Sequence, residues 1–139
     1  MYSNLSKQYE GNVGIMTIGP LTNLAVAYHY DNDFPKRISC LSIMGCQYSG
    51  VGMWDYFAAD FNFALDAHAA NLVIKNFDRI AVVSLEYAFA YKTERVHDIF
   101  VNRETRKGQF VSDIYKPIME KMHPVLCDPQ TAFPLFCKK

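Results

Sequence analysis

Ile15-Met16-Thr17-Ile18-Gly19-Pro20-Leu21-Thr22-Asn23-Leu24-Ala25 joins a strand pattern, a turn and a helix pattern within one short stretch. The apolar run from Val13 to Ile18 predicts a short buried strand. Gly19 permits a tight exit from that strand, and Pro20 favours the first turn of a helix. In an open α/β sheet such a corner faces the crevice where ligands bind. The same corner also occurs as a plain connection, so it assigns no function by itself.

Two further apolar runs, from Ile38 to Met44 and from Arg79 to Leu85, predict buried parallel strands. The segments from Leu21 to Tyr30 and from Asp66 to Asn76 carry apolar residues at helical spacing. Alternating strands and helices predict right-handed βαβ crossovers. The expected fold class is therefore α/β, a partial Rossmann-like parallel sheet flanked by helices.

The second half of the chain changes to a helical pattern. The segment from Thr105 to Met122 predicts a helix, because Phe110, Ile114, Ile118 and Met122 lie four residues apart. Asp128 followed by Pro129 predicts the N-cap of a last helix that runs to Phe136. No linker or repeat separates these segments, so we expect a single domain over residues 1–139.

Composition excludes several classes of protein. The 139 residues are half hydrophobic, and 14 basic side chains balance 14 acidic ones, so nucleic acid is not an expected partner. The sequence has no run of about 20 apolar residues and no hydrophobic leader after Met1, so we expect a cytoplasmic protein outside the membrane. The four cysteines lack Cys-x-x-Cys spacing, which argues against structural zinc and favours free thiols.

The order of short motifs along the chain resembles the inosine-uridine-preferring nucleoside hydrolases. These motifs are Gly19 to Ala25, Ile43-Met44-Gly45, Ala59-Asp60-Phe61-Asn62, Asp66 to Ala70, Ser84-Leu85-Glu86 and Cys127-Asp128-Pro129. The resemblance runs from about Val13 to about Phe136. It implies a nucleoside hydrolase-like domain whose aspartate-rich opening loop, of the form Asp-x-Asp-x-Gly-x-Asp-Asp, is absent from this chain. We therefore expect an N-terminally truncated domain in which Met1 falls in the helix before a middle strand.

The resemblance implies hydrolysis of the N-glycosidic bond of ribonucleosides to ribose and free base, assisted by Ca²⁺. Most calcium carboxylates of the family come from the absent loop. Two ligands map onto this chain, the backbone carbonyl of Ile18 and the side chain of Asp128. Asp128 is equally interpretable as an ordinary helix cap. Because Ca²⁺ takes about six to eight oxygen ligands, we expect activity to be weak or absent in this chain alone.

The ribose-binding motif of the family, Glu-Phe-Asn, corresponds here to Asp60-Phe61-Asn62. Aspartate keeps the charge of glutamate but shortens its reach by one methylene. Met44 corresponds to a methionine beside the sugar, although a methionine that ends a buried strand is also a normal core residue. The segment from Val51 to Asp55 lacks the amide that the family carries there. The resemblance thus implies substrate contacts by Met44, Asp60, Phe61 and Asn62.

Cys127 stands where many family members have the histidine that protonates the departing base. A thiol is a poorer acid for that task, and Cys127 is also interpretable as a small buried hydrophobe. His123, four residues earlier, is an alternative source of an imidazole. The aromatic residues Tyr48, Trp54, Tyr56 and Phe57 either stack on a base or cover the core.

Three hypotheses follow for the function. The first is a nucleoside hydrolase-like protein that takes ribonucleosides. The second is a non-catalytic nucleoside-binding or protein-interaction relic of the same fold, and the third is a generic α/β module. The sheet is expected to expose an edge strand, which makes a homo-oligomer a further expectation. The base preference is not encoded in any motif that we recognise.

Overall fold

The computed structural model describes residues 1–49, 59–90, 105–121 and 127–136. In those residues the elements follow the order α1 (Tyr2–Gln8), β1 (Val13–Thr17), α2 (Thr22–Tyr30), a 3-10 turn (Phe34–Arg37), β2 (Ile38–Met44), α3 (Phe61–Leu65), α4 (Ala67–Asn76), β3 (Ile80–Val83), α5 (Leu85–Ala90), α6 (Arg106–Lys121), α7 (Cys127–Gln130) and α8 (Phe133–Phe136). Across these described segments, no helix is both long enough and apolar enough to cross a bilayer.

The strands form one parallel sheet in the order β1-β2-β3. Ile15 pairs with Leu41, and Leu41 pairs in turn with Ile80. Each connection between the strands contains helix, as parallel pairing requires. The predicted α/β class, a small parallel sheet flanked by helices, is confirmed.

One face of the sheet packs against α2 and α4. Because side chains alternate along a strand, Ile15, Leu41 and Ile43 share this face. They belong to the apolar core, and Leu41 and Ile43 are fully buried. Phe34 and Phe77 close one end of the core with an edge-to-face contact, 5.8 Å between ring centroids. Burial of these aliphatic and aromatic side chains is the main stabilising contribution to the domain.

The opposite face of the sheet is covered by the last segment of the chain. The side chain of Leu135 lies against Gly14, where an added Cβ would come within 3.2 Å of Leu135 Cδ2. Ser42, on the same face, donates a hydrogen bond to the Thr131 carbonyl over 2.6 Å. The segment that carries Asp128 is thereby attached to the central strand.

A polar cluster fixes the amino ends of the strands. Asp31 accepts hydrogen bonds from Ser3 and, over 2.5 Å, from Arg37, and it forms an ion pair with Lys7 at 3.1 Å. The Ser3 hydrogen bond, followed by those from Lys7 and Arg37, holds the pKa of Asp31 well below its usual range. This cluster joins α1 to the 3-10 turn, at the end of the sheet where the strands begin.

Two predicted boundaries are wrong for local reasons. The third strand ends at Val83 and not at Leu85, because the Ser84 hydroxyl accepts a hydrogen bond from the Tyr87 backbone N–H over 3.2 Å and so caps α5. The last helix begins at Cys127, which places Asp128 in its first turn and not at the N-cap. The same segment is divided into α7 and α8, where one helix through Phe136 was expected.

Candidate functional site

A cavity of about 250 Å³ opens at the carboxyl ends of the strands. Its wall brings together residues that follow β1, β2 and β3 and residues of α7. The lining residues are Ile18, Met44, Ala59, Asp60, Phe61, Asn62, Leu85, Cys127 and Asp128. The six residues that the sequence suggested for substrate or metal contacts are among them, together with Cys127, which stands at the place of the family's histidine. Segments far apart in sequence therefore converge on one concave site, which is the usual location of a ligand in such a sheet.

Asp60 sits at the buried side of this cavity and is only 3% exposed. Its side chain caps α3 by accepting a hydrogen bond from the Phe63 backbone N–H over 3.0 Å. Burial raises the pKa of Asp60, and nearby backbone N–H groups, Phe63 first, oppose that rise. The shorter aspartate is thus held partly by the backbone of its own helix. This capping role was not predicted from the sequence.

The corner between β2 and the cavity is crowded. A Cβ at Gly45 would lie 2.4 Å from the Phe63 ring, so only glycine fits there without a shift of the ring. Cys46 adopts a left-handed backbone conformation, with φ of 74°, which is strained for a residue other than glycine. Its carbonyl accepts a hydrogen bond from Leu85 over 3.1 Å. The corner is therefore held in one shape beside Asp60.

Asn62 is fixed by the last residue of β2. Its amide nitrogen donates to the Met44 carbonyl oxygen over 3.2 Å and lies 3.1 Å from the Met44 sulfur. With the nitrogen engaged, the amide oxygen is the atom of Asn62 that suits a ligand hydroxyl. Met44 itself is 5% exposed, so it combines the two roles weighed for it, a core residue and a wall of the cavity.

Cys127 and Asp128 form the wall contributed by α7. Burial raises the pKa of the Cys127 thiol, and the nearby carboxylates of Asp128 and Asp60 raise it further. Burial also raises the pKa of Asp128. At neutral pH Cys127 is consequently an uncharged thiol, which holds its proton more tightly than an ordinary cysteine. His123, the alternative source of an acid, lies outside the described residues.

The cavity contains both metal ligands that the resemblance implies for this chain. Ile18 and Asp128 both line the cavity. In residues 1–49, 59–90, 105–121 and 127–136, however, no group of three or more His, Cys, Asp or Glu side chains is arranged to hold a metal ion. Ca²⁺ takes about six to eight oxygen ligands, so these two oxygen donors are too few to hold it. The described residues do not by themselves make a calcium site.

A carboxylate outside the predicted set fixes the segment that leaves β2. Glu86 Oε1 accepts hydrogen bonds from the backbone N–H groups of Tyr48 and Ser49, each over 2.8 Å. The Ser49 hydrogen bond, with other polar contacts, lowers the pKa of Glu86 to about 2. Tyr48 is exposed, and the three other aromatic residues considered for base stacking lie outside the described residues.

Ala59 and Leu85 line the cavity and belong to the quoted motifs, but neither was predicted as a site residue. Leu85 was assigned to a strand, but it opens α5 directly after β3. The available signal was its position, since a residue at the carboxyl end of a parallel strand faces the ligand crevice. Ala59 immediately precedes the Asp60 motif and offered no chemical signal.

Comparison with known proteins agrees with the motif order. The sequence profile of the "Inosine-uridine preferring nucleoside hydrolase" family matches residues 1–138. The chain belongs to this family. The match extends beyond the stretch from Val13 to Phe136 that carries the motifs.

Individual relatives of the family align over shorter stretches. Uridine nucleosidase 1 of Arabidopsis thaliana is 34% identical over 79 residues, which are 57% of this chain and 23% of the plant protein. Probable uridine nucleosidase 2 of Oryza sativa subsp. japonica is 28% identical over 107 residues, 76% of this chain and 32% of the rice protein. The matched part thus spans between about a quarter and a third of these curated relatives.

A solved structure shows the same fold. The plant nucleoside hydrolase PpNRh1 superposes with a TM-score of 0.75 at 22% sequence identity. The superposition covers 95% of this chain and 44% of the plant enzyme. The fold of this member of the nucleoside hydrolase family is therefore that of less than half of the larger enzyme.

Proposed function

We propose that the cavity binds the ribose of a ribonucleoside and that the chain is a nucleoside hydrolase-like protein with weak or no hydrolytic activity by itself. The observation that carries this proposal is the convergence of Asp60, Asn62 and Asp128 on one cavity of about 250 Å³. That volume lies just below the range of about 300–1,000 Å³ usual for small-molecule sites, which suits a sugar with the base at the mouth.

Sugar hydroxyls need acceptors and donors at fixed positions. The Asn62 amide is held by Met44 and offers its oxygen to a hydroxyl, and Asp128 offers a carboxylate from the facing wall. One oxygen of the Asp60 carboxylate caps α3, and its remaining lone pairs can accept hydrogen bonds from the sugar. The apolar side chains of Met44 and Leu85 exclude water from the rest of the wall.

The reaction of the family breaks the bond between the sugar C1′ and a base nitrogen while water adds at C1′. Positive charge develops on the ribosyl group in such a transition state. Carboxylates beside the sugar stabilise that charge, and their effect is larger where water is excluded. Asp60 and Asp128 are suitably charged for this role when ionised. The departing base takes up a proton, and Cys127, with its raised pKa, is a weak source of one.

The same features favour a second candidate, retention of nucleoside binding without catalysis. Cys127 stands in place of an imidazole, and two of the calcium ligands that the resemblance implies, Ile18 and Asp128, line the cavity. Binding of the sugar needs neither. In this alternative the chain acts as a binding protein or as part of a larger assembly. Loss of hydrolysis with preserved nucleoside affinity would distinguish it from the first candidate.

The lining of the cavity also indicates which ligands are excluded. It contains the carboxylates of Asp60 and Asp128, and no lysine or arginine is among the nine lining residues. Among these nine residues a 5′-phosphate would meet negative charge and no cation, which costs free energy in a partly buried site. We therefore propose a nucleoside and not a nucleotide as the ligand, in line with the uridine nucleosidase relatives.

Calorimetric titration tests this proposal. Uridine and D-ribose should bind the purified chain, and uridine 5′-monophosphate should bind at least about tenfold more weakly than uridine, because the nine lining residues present carboxylates and no cation to a phosphate. Asn62→Ala should weaken uridine binding about tenfold. Asn12→Ala is the matched control, since Asn12 also donates to a backbone carbonyl over 3.2 Å but lies before β1, at the opposite end of the sheet.

The outcomes separate the alternatives. Equal affinity for uridine and its monophosphate would contradict a ribonucleoside site. Unchanged affinity in Asn62→Ala would show that binding occurs elsewhere on the chain. A parallel assay for ribose release then distinguishes the hydrolase from the binding protein.

We further propose a cytoplasmic location and no contact with nucleic acid or membranes. The balance of 14 basic and 14 acidic residues supports the proposal that the chain does not bind nucleic acid. The exposed side chains of β1 favour a second copy of this chain as the partner, and the two copies would pair through the edge of the sheet.

A further inference from the structure

We propose that Ser42 is a positioning residue for the cavity, because its buried hydroxyl holds the turn that carries Cys127 and Asp128 against the central strand. This inference rests on the proposed function, since it concerns how the same site is kept in shape. No motif in the sequence pointed to Ser42 or to Thr131.

Ser42 is the polar side chain in the middle of an otherwise apolar, buried part of β2. It is fully buried, and its hydroxyl donates to the Thr131 carbonyl over 2.6 Å. Leu41 and Ile43, its neighbours, point into the apolar core on the other face. A buried hydroxyl destabilises a protein unless it is hydrogen-bonded. The hydrogen bond to Thr131 therefore offsets the cost of burying the Ser42 hydroxyl.

Thr131 connects Ser42 to the cavity wall through two further hydrogen bonds. It too is fully buried, and its hydroxyl donates to the Cys127 carbonyl over 3.1 Å. Its backbone N–H donates to the Asp128 carbonyl, also over 3.1 Å. Ser42, Thr131 and the Cys127–Asp128 pair therefore form one continuous series of hydrogen bonds. The series runs from the centre of the sheet to the two α7 residues that line the cavity.

The turn needs such an anchor. Helix α7 has four residues, which is too short to be stable without tertiary contacts. Among the described residues, its other side-chain link is the hydrogen bond from Gln130 to the Ala88 carbonyl, which at 3.5 Å is weak. The Ser42 hydrogen bond is shorter and buried. It therefore attaches the residue that directly follows α7 to the central strand, in addition to the packing of Leu135 against Gly14.

Both polar walls of the cavity are consequently attached to β2. Asn62 is held by the Met44 carbonyl, and the Asp128 turn is held by Ser42, two residues earlier on the same strand. Because alternate residues share a face, Ser42 and Met44 point to the same side of the sheet. Removal of the Ser42 hydroxyl should release the Asp128 wall and leave the Asn62 wall in place.

The test uses the Cys127 thiol as a reporter of the position of α7. Cys127 is half-buried, so its alkylation by iodoacetamide, quantified by peptide mass spectrometry, depends on how often the turn opens. Ser42→Ala should accelerate Cys127 alkylation about fivefold, the effect of losing one hydrogen bond of ordinary strength. Cys46, which follows β2, is the internal reference. Uridine affinity should fall about tenfold through displacement of Asp128.

Matched variants separate positioning from general destabilisation. Ser6→Ala removes an equally buried hydroxyl that donates to the Ser3 carbonyl over 2.8 Å near the amino ends of the strands. It should lower the melting temperature without accelerating Cys127 alkylation. Thr131→Val keeps the shape of threonine but removes its bond to Cys127, and should accelerate alkylation as Ser42→Ala does. Ser42→Thr retains the hydroxyl and should restore the native rate.

The possible results are unambiguous. Acceleration of Cys127 alkylation in Ser42→Ala and Thr131→Val, with Ser6→Ala unchanged, supports the proposal. An unchanged rate in folded Ser42→Ala or in Thr131→Val, or equal acceleration in Ser6→Ala, overturns it. If the native chain binds no uridine, the proposed function fails while the alkylation rates still decide the role of Ser42.

Discussion

The side-chain amide of Asn62 donates a hydrogen bond to the Met44 carbonyl oxygen over 3.2 Å. This contact joins the first turn of α3 to the last residue of β2. The position of the Asp60-Phe61-Asn62 motif consequently depends on the tight corner at Gly45, which lies between β2 and that motif.

Gly45→Ala should destabilise the domain by about 1–3 kcal/mol, the usual cost of forcing extra volume into a packed site. The added Cβ would meet the Phe63 ring at 2.4 Å and the Asp60 carboxylate at 3.3 Å. Urea unfolding monitored by circular dichroism measures the change. Gly19→Ala is the control, because nothing lies within 4 Å of a Cβ there, and its effect should stay within about 0.5 kcal/mol. Equal effects of the two variants would contradict the crowding at Gly45.

Glu86 should make the segment after β2 sensitive to acid. Its pKa is lowered from 4.5 to about 2 in the folded chain, chiefly by the Ser49 backbone N–H. A lowered folded pKa contributes stability that is complete above the unfolded value and is lost as the pH falls from there towards the folded value. The free energy of unfolding should therefore fall as the pH drops from about 4.5 to 2, and the Tyr48 and Ser49 amide resonances of the folded chain should shift around pH 2 in NMR spectra. Glu86→Gln should abolish this transition, and its persistence in that variant would assign it to another group.

The strands and the convergence of the site could be predicted from the sequence. The sequence predicts the bounds of β2 at both ends, because the mainly apolar run from Ile38 to Met44 has the length and composition of a short buried strand. The resemblance assigns Asp60 and Asp128 to one nucleoside site, and the carboxyl ends of parallel strands meet at one edge of a sheet. The structure brings both to one cavity, and the roles of these side chains in binding stay predictions.

The capping interactions could not be predicted with the same success. Asp60 looks like a ligand-binding carboxylate in sequence, but it also caps α3, and Ser84 ends β3 by capping α5. For Asp128 the difference is the opposite one. The sequence predicts a helix cap, and the residue lies inside the first turn of α7. A polar residue before an apolar run permits both interpretations, and tertiary contacts decide between them. The Ser42–Thr131 hydrogen bond joins residues 89 positions apart, beyond the reach of any local pattern.

Calcium should not support nucleoside hydrolysis by this chain alone. Of the ligands that the resemblance implies, only Ile18 and Asp128 are present at the cavity, and Ca²⁺ takes about six to eight oxygen ligands. Ribose release from inosine and from uridine should be indistinguishable with calcium and with a chelator. Asp128→Asn should leave this result unchanged. Chelator-sensitive release that Asp128→Asn abolishes would show instead that the chain completes a metal site.

The outer edge of β1 should drive self-association. Within the described part of the chain no strand pairs with that edge, and the sheet order leaves β1 outermost. Its side chain Met16 is 40% exposed, and Ile18, just beyond the strand, is 48% exposed. An edge strand with exposed apolar side chains is a template for pairing with another chain, and a charge placed on it opposes that pairing.

Met16→Lys should therefore lower the average mass measured by light scattering at several protein concentrations, because two copies would bring like charges together. Val26→Lys is the matched control, since Val26 is an equally exposed apolar residue, 46% accessible, but lies on α2 away from the edge. The control should associate like the native chain. A native chain that stays monomeric at every concentration, or a Val26→Lys variant that dissociates as readily as Met16→Lys, would remove β1 as the site of association.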